Sequence, residues 1–107
     1  MRVAVFLLFF GWGSLPSSAW SLDAEQWFVE GNRFSSAGKF EEAVRAYQKS
    51  IDQNPMAPVA HYNLGIAYKN LRQLDKAAVV LEKAVELAPS NLDIRLTLGN
   101  IYNMQER

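Results

Sequence analysis

The stretch AHYNLGIAYKNLRQLDKAAVVLEKAVELAP, residues 60–89, decides the fold, because it carries two helical patterns joined by a short polar turn. Leu64, Gly65, Tyr68 and Leu71 share one face of a first helix. Leu74, Ala77, Ala78, Leu81 and Val85 share one face of a second, at spacings of three and four. Pro89 stops that second helix, since its ring disfavours helical geometry at the residue before it. Stepping 34 residues in either direction finds the same landmarks: Gly31, Gly65 and Gly99, then Ala43 and Ala77, then Pro55 and Pro89. Few residues are literally identical, but class is retained. Phe34 becomes Tyr68 and Tyr102, Phe40 becomes Leu74, Tyr47 becomes Leu81, and Ser50 becomes Ala84. A fixed period of this size means stacked helical hairpins with a continuous concave face.

The first unit repeats the pattern with Trp27, Gly31 and Phe34 on a helix from about Ala24 to Ala37, and Phe40, Ala43, Val44, Tyr47 and Ile51 on the next. Glycine inside a helix costs about 1 kcal/mol, so its recurrence requires a packing reason. The expectation is a close approach of two antiparallel backbones at Gly31/Ala43 and at Gly65/Ala77. The turn of the first unit uses Gly38, and the matching places carry Arg72 and Glu106; a left-handed Arg72 costs roughly 1–2 kcal/mol relative to glycine. The second helix of unit two is apolar on more than one face, with Val79, Val80, Leu81, Val85 and Leu87, and expects neighbours on both sides. In the last helix, Leu98, Ile101 and Tyr102 are expected to lack a covering helix. A longer array, an imperfect cap, or self-association through this helix with a second copy each account for that.

At Trp27, Gly31, Phe34, Ala43, Tyr47 and Pro55, and again over Ala60 to Pro89, the chain resembles the tetratricopeptide repeat family. It departs at Glu30, where the family has leucine, and at His61, where it has tryptophan. The resemblance implies an all-α, right-handed α-solenoid of about two and a half units: residues 24–57, 58–91, and the first helix of a third over 92–107. It further implies a partner-binding concave groove lined by Phe28, Asn32 and Ser35, by Tyr62, Ile66, Lys69 and Asn70, and by Leu96, Asn100 and Asn103. Phe28 and Tyr62 are expected off the packing stripe. Such an apolar, amide-rich strip suits an extended peptide or a partner helix. One subfamily clamps the acidic tail of chaperones. Asn32 and Asn63 match its asparagines, but its basic places carry Phe28, Asp93 and Thr97, so carboxylate capture is not implied.

Residues 1–19 have a different character: Met1-Arg2, an apolar run from Val3 to Trp12, then Gly13, Ser14 and Pro16, then Ser17-Ser18-Ala19. That order predicts a signal peptide cleaved after Ala19. The run reaches only half of the ~20 apolar residues that a spanning helix needs, so no stable membrane insertion is expected after cleavage. The chain has no cysteine, hence no disulfide, thiol chemistry or lipid-modified cysteine. With no glycosylation sequon either, the expected location is periplasmic or secreted.

Losing Arg2 leaves ten basic against eleven acidic residues, a net charge of −1 with the signs interspersed. Nucleic acid is therefore not an expected partner. The single histidine, His61, falls in the helical stripe that holds Trp27 in unit one and is assigned to packing. Glu41-Glu42 complement a helix start, with Arg45 one turn from Glu41. No catalytic residue, metal site or cofactor is predicted. The expectation is a non-catalytic, exported adaptor that holds a peptide segment or helix of a partner protein. The alternative is a spacer or dimerisation array at the N-terminus of a longer, catalytic envelope protein.

Overall fold

The computed structural model describes residues 22–106. The predicted signal peptide, residues 1–19 with its cleavage point after Ala19, lies outside the described residues. Five helices and no strand make up the described chain: α1 (Ala24–Ser36), α2 (Phe40–Gln53), α3 (Pro58–Asn70), α4 (Leu74–Leu87) and α5 (Leu92–Gln105). Each helix packs on the next in sequence, while α1 and α3 touch only sparsely. This is an all-α solenoid of about two and a half helical hairpins.

The helix ends follow from local chemistry. Asp23 and Gln26 form a reciprocal cap at the start of α1: the Gln26 N–H donates to Asp23 Oδ1 at 2.8 Å, and the Asp23 N–H donates to Gln26 Oε1 at 2.9 Å. Pro58 occupies the first turn of α3, where its missing N–H costs nothing. Asn91 Oδ1 accepts from the Ile94 N–H at 3.1 Å to open α5.

Both intra-hairpin turns have the same geometry. The Gly38 N–H donates to Ser35 O at 3.0 Å and the Lys39 N–H to Phe34 O at 2.9 Å; Arg72 to Lys69 O and Gln73 to Tyr68 O repeat this at 2.9 Å each. This pair of hydrogen bonds closes the helix with one left-handed residue, Gly38 at φ 76° and Arg72 at φ 63°. Glu106, the third matching place, departs from the pattern. Its φ is −76°, and its N–H donates to Tyr102 O.

Packing refines the reason for the glycines. Ala43 and Ala77 are fully buried, but what sits on Gly31 is the Tyr47 ring and what sits on Gly65 is the Leu81 side chain, each one turn beyond its alanine. A methyl at either glycine would overlap that side chain. A side chain thus lies directly on the backbone at each glycine. Tyr47 and Leu81 are 2% and 0% exposed, and with Leu64, Ala67 and Tyr68 they form the spine of the core.

Stacking between hairpins is also periodic. Tyr68 receives a hydrogen bond on its hydroxyl from Gln48 Nε2 of α2 at 2.9 Å, and 34 residues on, the Tyr102 hydroxyl donates to the Glu82 carboxylate of α4. Ile94 and Ile101 are buried against the array, and Leu98 packs half-buried on it. The last helix is therefore less open than its sequence suggests: Ile101 and Leu98 face inwards, and Tyr102 is partly exposed. Val79 also departs from expectation, standing exposed on α4 while Val80, Val85 and Leu87 are half-buried. Glu41 and Arg45 form no ion pair among the described residues; Glu30–Arg33 and Lys83–Glu86 do.

His61 is buried and its Nε2 lies 2.9 Å from Pro55 O, so it ties α3 to the inter-hairpin loop. In unit one the same place holds Trp27, whose ring lies 4.8 Å below the Lys49 ammonium.

The strained Arg72 yields a direct test. Arg72→Gly removes the left-handed penalty of about 1–2 kcal/mol, and each 1 kcal/mol raises Tm by about 4–8 °C in a domain of this size. Calorimetry on both proteins checks it, and an unchanged or lowered Tm would refute this account of the turn.

Candidate functional site

Because α1 and α3 touch so little, a crevice runs between them, and the residues on either side come from matching places in the two units. Its floor is a core residue. Tyr47, seated on Gly31, carries its hydroxyl through to the α1/α3 side, where it donates to Asn32 Oδ1 at 2.6 Å. Asn63 of α3 donates to the same oxygen through Nδ2 at 3.0 Å. A buried tyrosine hydroxyl has to find a partner, and Asn32 one residue after the glycine supplies it. Burial pushes the Tyr47 hydroxyl above its usual titration range, with Asn63 and Ser35 pulling in the opposite direction.

A cavity of about 190 Å³ opens over this knot, lined by Asn32, Ser35, Ser36, Tyr47, Asn63 and Ile66. Asn32 Oδ1 is occupied twice, yet among the described residues Asn32 Nδ2 and Asn63 Oδ1 have no other partner. One amide donor and one amide acceptor are therefore left over on two side chains that line the same cavity. Towards the start of the two helices, a second cavity of about 270 Å³ is lined by Phe28 with Ala24, Glu25, Ser50, Asn54 and Val59 among others. Ser50 Oγ closes its inner side by donating to Ala24 O at 2.7 Å.

Of the residues predicted to line the groove, Asn32, Ser35 and Ile66 share the first cavity and Phe28 lines the second. Phe28 and Tyr62 are not clear of the packing, as their positions suggested. Both are half-buried against the core, with the Phe28 and Tyr47 ring centroids 5.8 Å apart. The Tyr62 hydroxyl lies 3.3 Å from Thr97 Oγ1 and links α3 to α5. Lys69 is half-buried near the end of α3, whereas Asn70, Leu96, Asn100 and Asn103 are exposed; none of these five lines either cavity.

Three residues lining the first cavity escaped sequence reading as groove residues: Ser36, Tyr47 and Asn63. Tyr47 belongs to the core pattern, and only its hydroxyl, which must be satisfied somewhere, hints at a second role. Asn63 matches an asparagine place of the chaperone-tail binders, but its neighbourhood with Asn32 is a tertiary fact. Among the described residues no group of histidine and carboxylate side chains is arranged to hold a metal, and no helix is long and apolar enough to cross a membrane.

Known proteins share the helical repeat. The TPR repeat family model matches residues 31–71 and the tetratricopeptide repeat model matches residues 58–91. The chain belongs to the tetratricopeptide repeat family. Small glutamine-rich tetratricopeptide repeat-containing protein 2 of Mycosarcoma maydis is 35% identical over 74 residues, 69% of this chain and 21% of that one. Hsp70-Hsp90 organizing protein 3 of Arabidopsis thaliana is 36% identical over 67 residues, 63% of this chain and 12% of that one. The chain thus spans only a small part of the length of these curated relatives. Among solved structures, the crystal structure of MamA superposes with a TM-score of 0.76 at 25% identity, covering 78% of this chain and 49% of that chain.

The tyrosines predict the response of this tetratricopeptide array to alkali. Tyr47 is raised by burial and Tyr102 by its hydrogen bond to Glu82. Unfolded tyrosines ionise near pH 10 (about), and the folded state resists ionisation. Stability is then fully present below that pH and is lost as pH rises through the higher folded values. Tyr47→Phe combined with Tyr102→Phe should lower stability at neutral pH and flatten its alkaline decline in urea titrations. An alkaline decline as steep as that of the parent would overturn the assignment.

Proposed function

We propose that this array is a non-catalytic adaptor that captures an extended peptide segment of a partner protein in the crevice between α1 and α3. The observation that carries the reading is the pair of free amide groups, Asn32 Nδ2 and Asn63 Oδ1, in one cavity. A peptide bond presents one acceptor and one donor, the complement of that pair. Ile66 on one side and Phe28 with Val59 on the other offer apolar surface for the side chains that flank such a bond. Holding a backbone amide is sequence-tolerant. Specificity then comes from what fits beside Phe28 and Val59.

Relatives named as Hsp70-Hsp90 organising proteins support a protein-binding role in general terms. They do not extend to an acidic tail here. Phe28, Asp93 and Thr97 occupy the places where a carboxylate clamp has its cations. We further propose that the adaptor works outside the cytoplasm, in the periplasm or as a secreted protein. The support is the order of charged, apolar and small residues over 1–19.

Selection from a random peptide library followed by fluorescence anisotropy tests the groove. Val59→Glu and Ser36→Glu, both at exposed places on the cavity rims, should each weaken selected peptides by about tenfold or more, while Arg45→Glu, which lines neither cavity, should leave them unchanged. Peptides indifferent to both rim variants would refute the reading. Export is tested separately by sequencing the N-terminus of protein recovered from the producing cell's envelope or medium. A chain starting at Trp20 supports it, and a chain starting at Met1 sinks it.

A further inference from the structure

A cavity of about 240 Å³ lies between α2 of the first hairpin and the turn and first residues of α4 in the second, lined by Glu41, Arg45, Gln48, Tyr68, Gln73 and Lys76 among others. It shares no lining residue with the cavities of the α1/α3 crevice, and α5 contributes nothing to it. Tyr68 is 7% exposed, and its hydroxyl is half used. The oxygen accepts from Gln48 Nε2 at 2.9 Å, while the O–H itself meets no acceptor among the described residues. Arg45 and Lys76 form no ion pair among those residues either, and Lys76 Nζ stands 5.9 Å from the centre of the Tyr68 ring.

The same junction one repeat later is self-contained. Tyr102 repeats Tyr68, and its hydroxyl donates to the carboxylate of Glu82, which stands in the place of Gln48. Val79 stands in the place of Arg45. Where the chain itself supplies the carboxylate, the place one turn before it is apolar; where an amide replaces the carboxylate, that place holds a cation. Glu41 does not take the part of Glu82. Its equivalent, Asp75, is held by Gln105 Nε2 at 2.8 Å, but Leu71 occupies the place of Gln105 and offers no donor, and Glu41 forms no ion pair with either cation.

We propose that this cavity binds a carboxylate from outside the chain, which accepts the Tyr68 O–H and is matched in charge by Arg45 and Lys76.

Hydrogen bonds to an ionised acceptor are the stronger kind, and partial burial strengthens them further. Arg45 and Lys76 outnumber Glu41, the one carboxylate among the lining residues, so an anion is favoured there. Glu82 identifies the group, since a carboxylate is what the repeated tyrosine takes. Free organic acids and the Asp or Glu side chains of a partner protein share that group.

The probe is sodium acetate, titrated into the full chain with ionic strength held constant by chloride and followed by NMR through the Gln48 side-chain amide and the Arg45 Nε–H. Saturable binding is expected, weakened about fivefold or more by Tyr68→Phe or Arg45→Val and tightened by Glu41→Gln. Gln48→Glu, which installs the carboxylate that Glu82 provides one repeat later, should abolish it with Tm retained or raised. Val59→Glu and Ser36→Glu should leave it unchanged, whereas Arg45→Glu, neutral in the crevice, should remove it, so failure here is distinguishable from failure of the crevice reading. A capped peptide carrying a single Glu separates the two sources. Tighter binding than acetate assigns the carboxylate to a partner's side chain, and equal or weaker binding assigns it to a free acid. Absence of saturation by about 100 mM acetate, or binding that Gln48→Glu does not alter, overturns the proposal. So does inorganic phosphate that binds more tightly than acetate, which would make the cavity a general anion site. A Tm lowered by Glu41→Gln with no gain in affinity also overturns it, since Glu41 would then be the occupant.

Discussion

The architecture depends on one contact made twice: a bulky side chain from the second helix of each hairpin lying on a glycine of the first, Tyr47 on Gly31 and Leu81 on Gly65. The contact sets how near the two helices come and locks their register, because only at the glycine is there room for the side chain. Fully buried alanines one turn away, Ala43 and Ala77, let the second helix lie flat beside it. Burying such a side chain contributes about 1.5–3 kcal/mol, which exceeds the roughly 1 kcal/mol that a helical glycine costs. The glycine is thus retained by the seat it makes, and no regular helix former can replace it without displacing the core.

The same contact creates the floor of the crevice. Tyrosine is longer than leucine by a ring and a hydroxyl, so in unit one the seated side chain reaches past the glycine and presents an oxygen on the α1/α3 side. That oxygen recruits Asn32, and Asn32 recruits Asn63 across the unit boundary. In unit two leucine presents no such group, and Ile66 stands where Asn32 does. Core packing and surface chemistry are therefore coupled residue by residue.

The hairpin period, the helix limits and the left-handed turn were legible because each rests on local rules: glycine and proline placement, three-and-four spacing, and the offset of 34. Arg72 could be placed in its strained conformation from its alignment with Gly38 alone. What the chain order concealed was tertiary. Side-chain reach decided that the Tyr47 ring lies on Gly31, and that Phe28 packs on Tyr47 while still lining a cavity. Ile101 was grouped with Tyr102, although adjacent positions of a helix point about 100° apart. A helix that packs on the preceding hairpin buries one of these neighbours and leaves the other at the rim. Glu106 does not repeat Gly38: its φ is −76°.

The links between hairpins explain how so small an array presents an ordered groove. Tyr68 is tied to Gln48 and Tyr102 to Glu82, the same place on successive second helices, and His61 is tied to the loop carbonyl of Pro55. Phe34 holds the equivalent place in unit one. It has no hydroxyl and lies instead beneath Arg33, whose guanidinium pairs with Glu30 where Leu64 and Leu98 stand in the later units. Polar groups thus cover the first helix on the side where the later helices stack on their predecessors. An exposed pair of this kind adds little stability. Its effect is to make that side unattractive to an apolar partner. The helices that line the crevice are thus already fixed at their spacing, and binding to a surface that does not itself have to order costs less entropy.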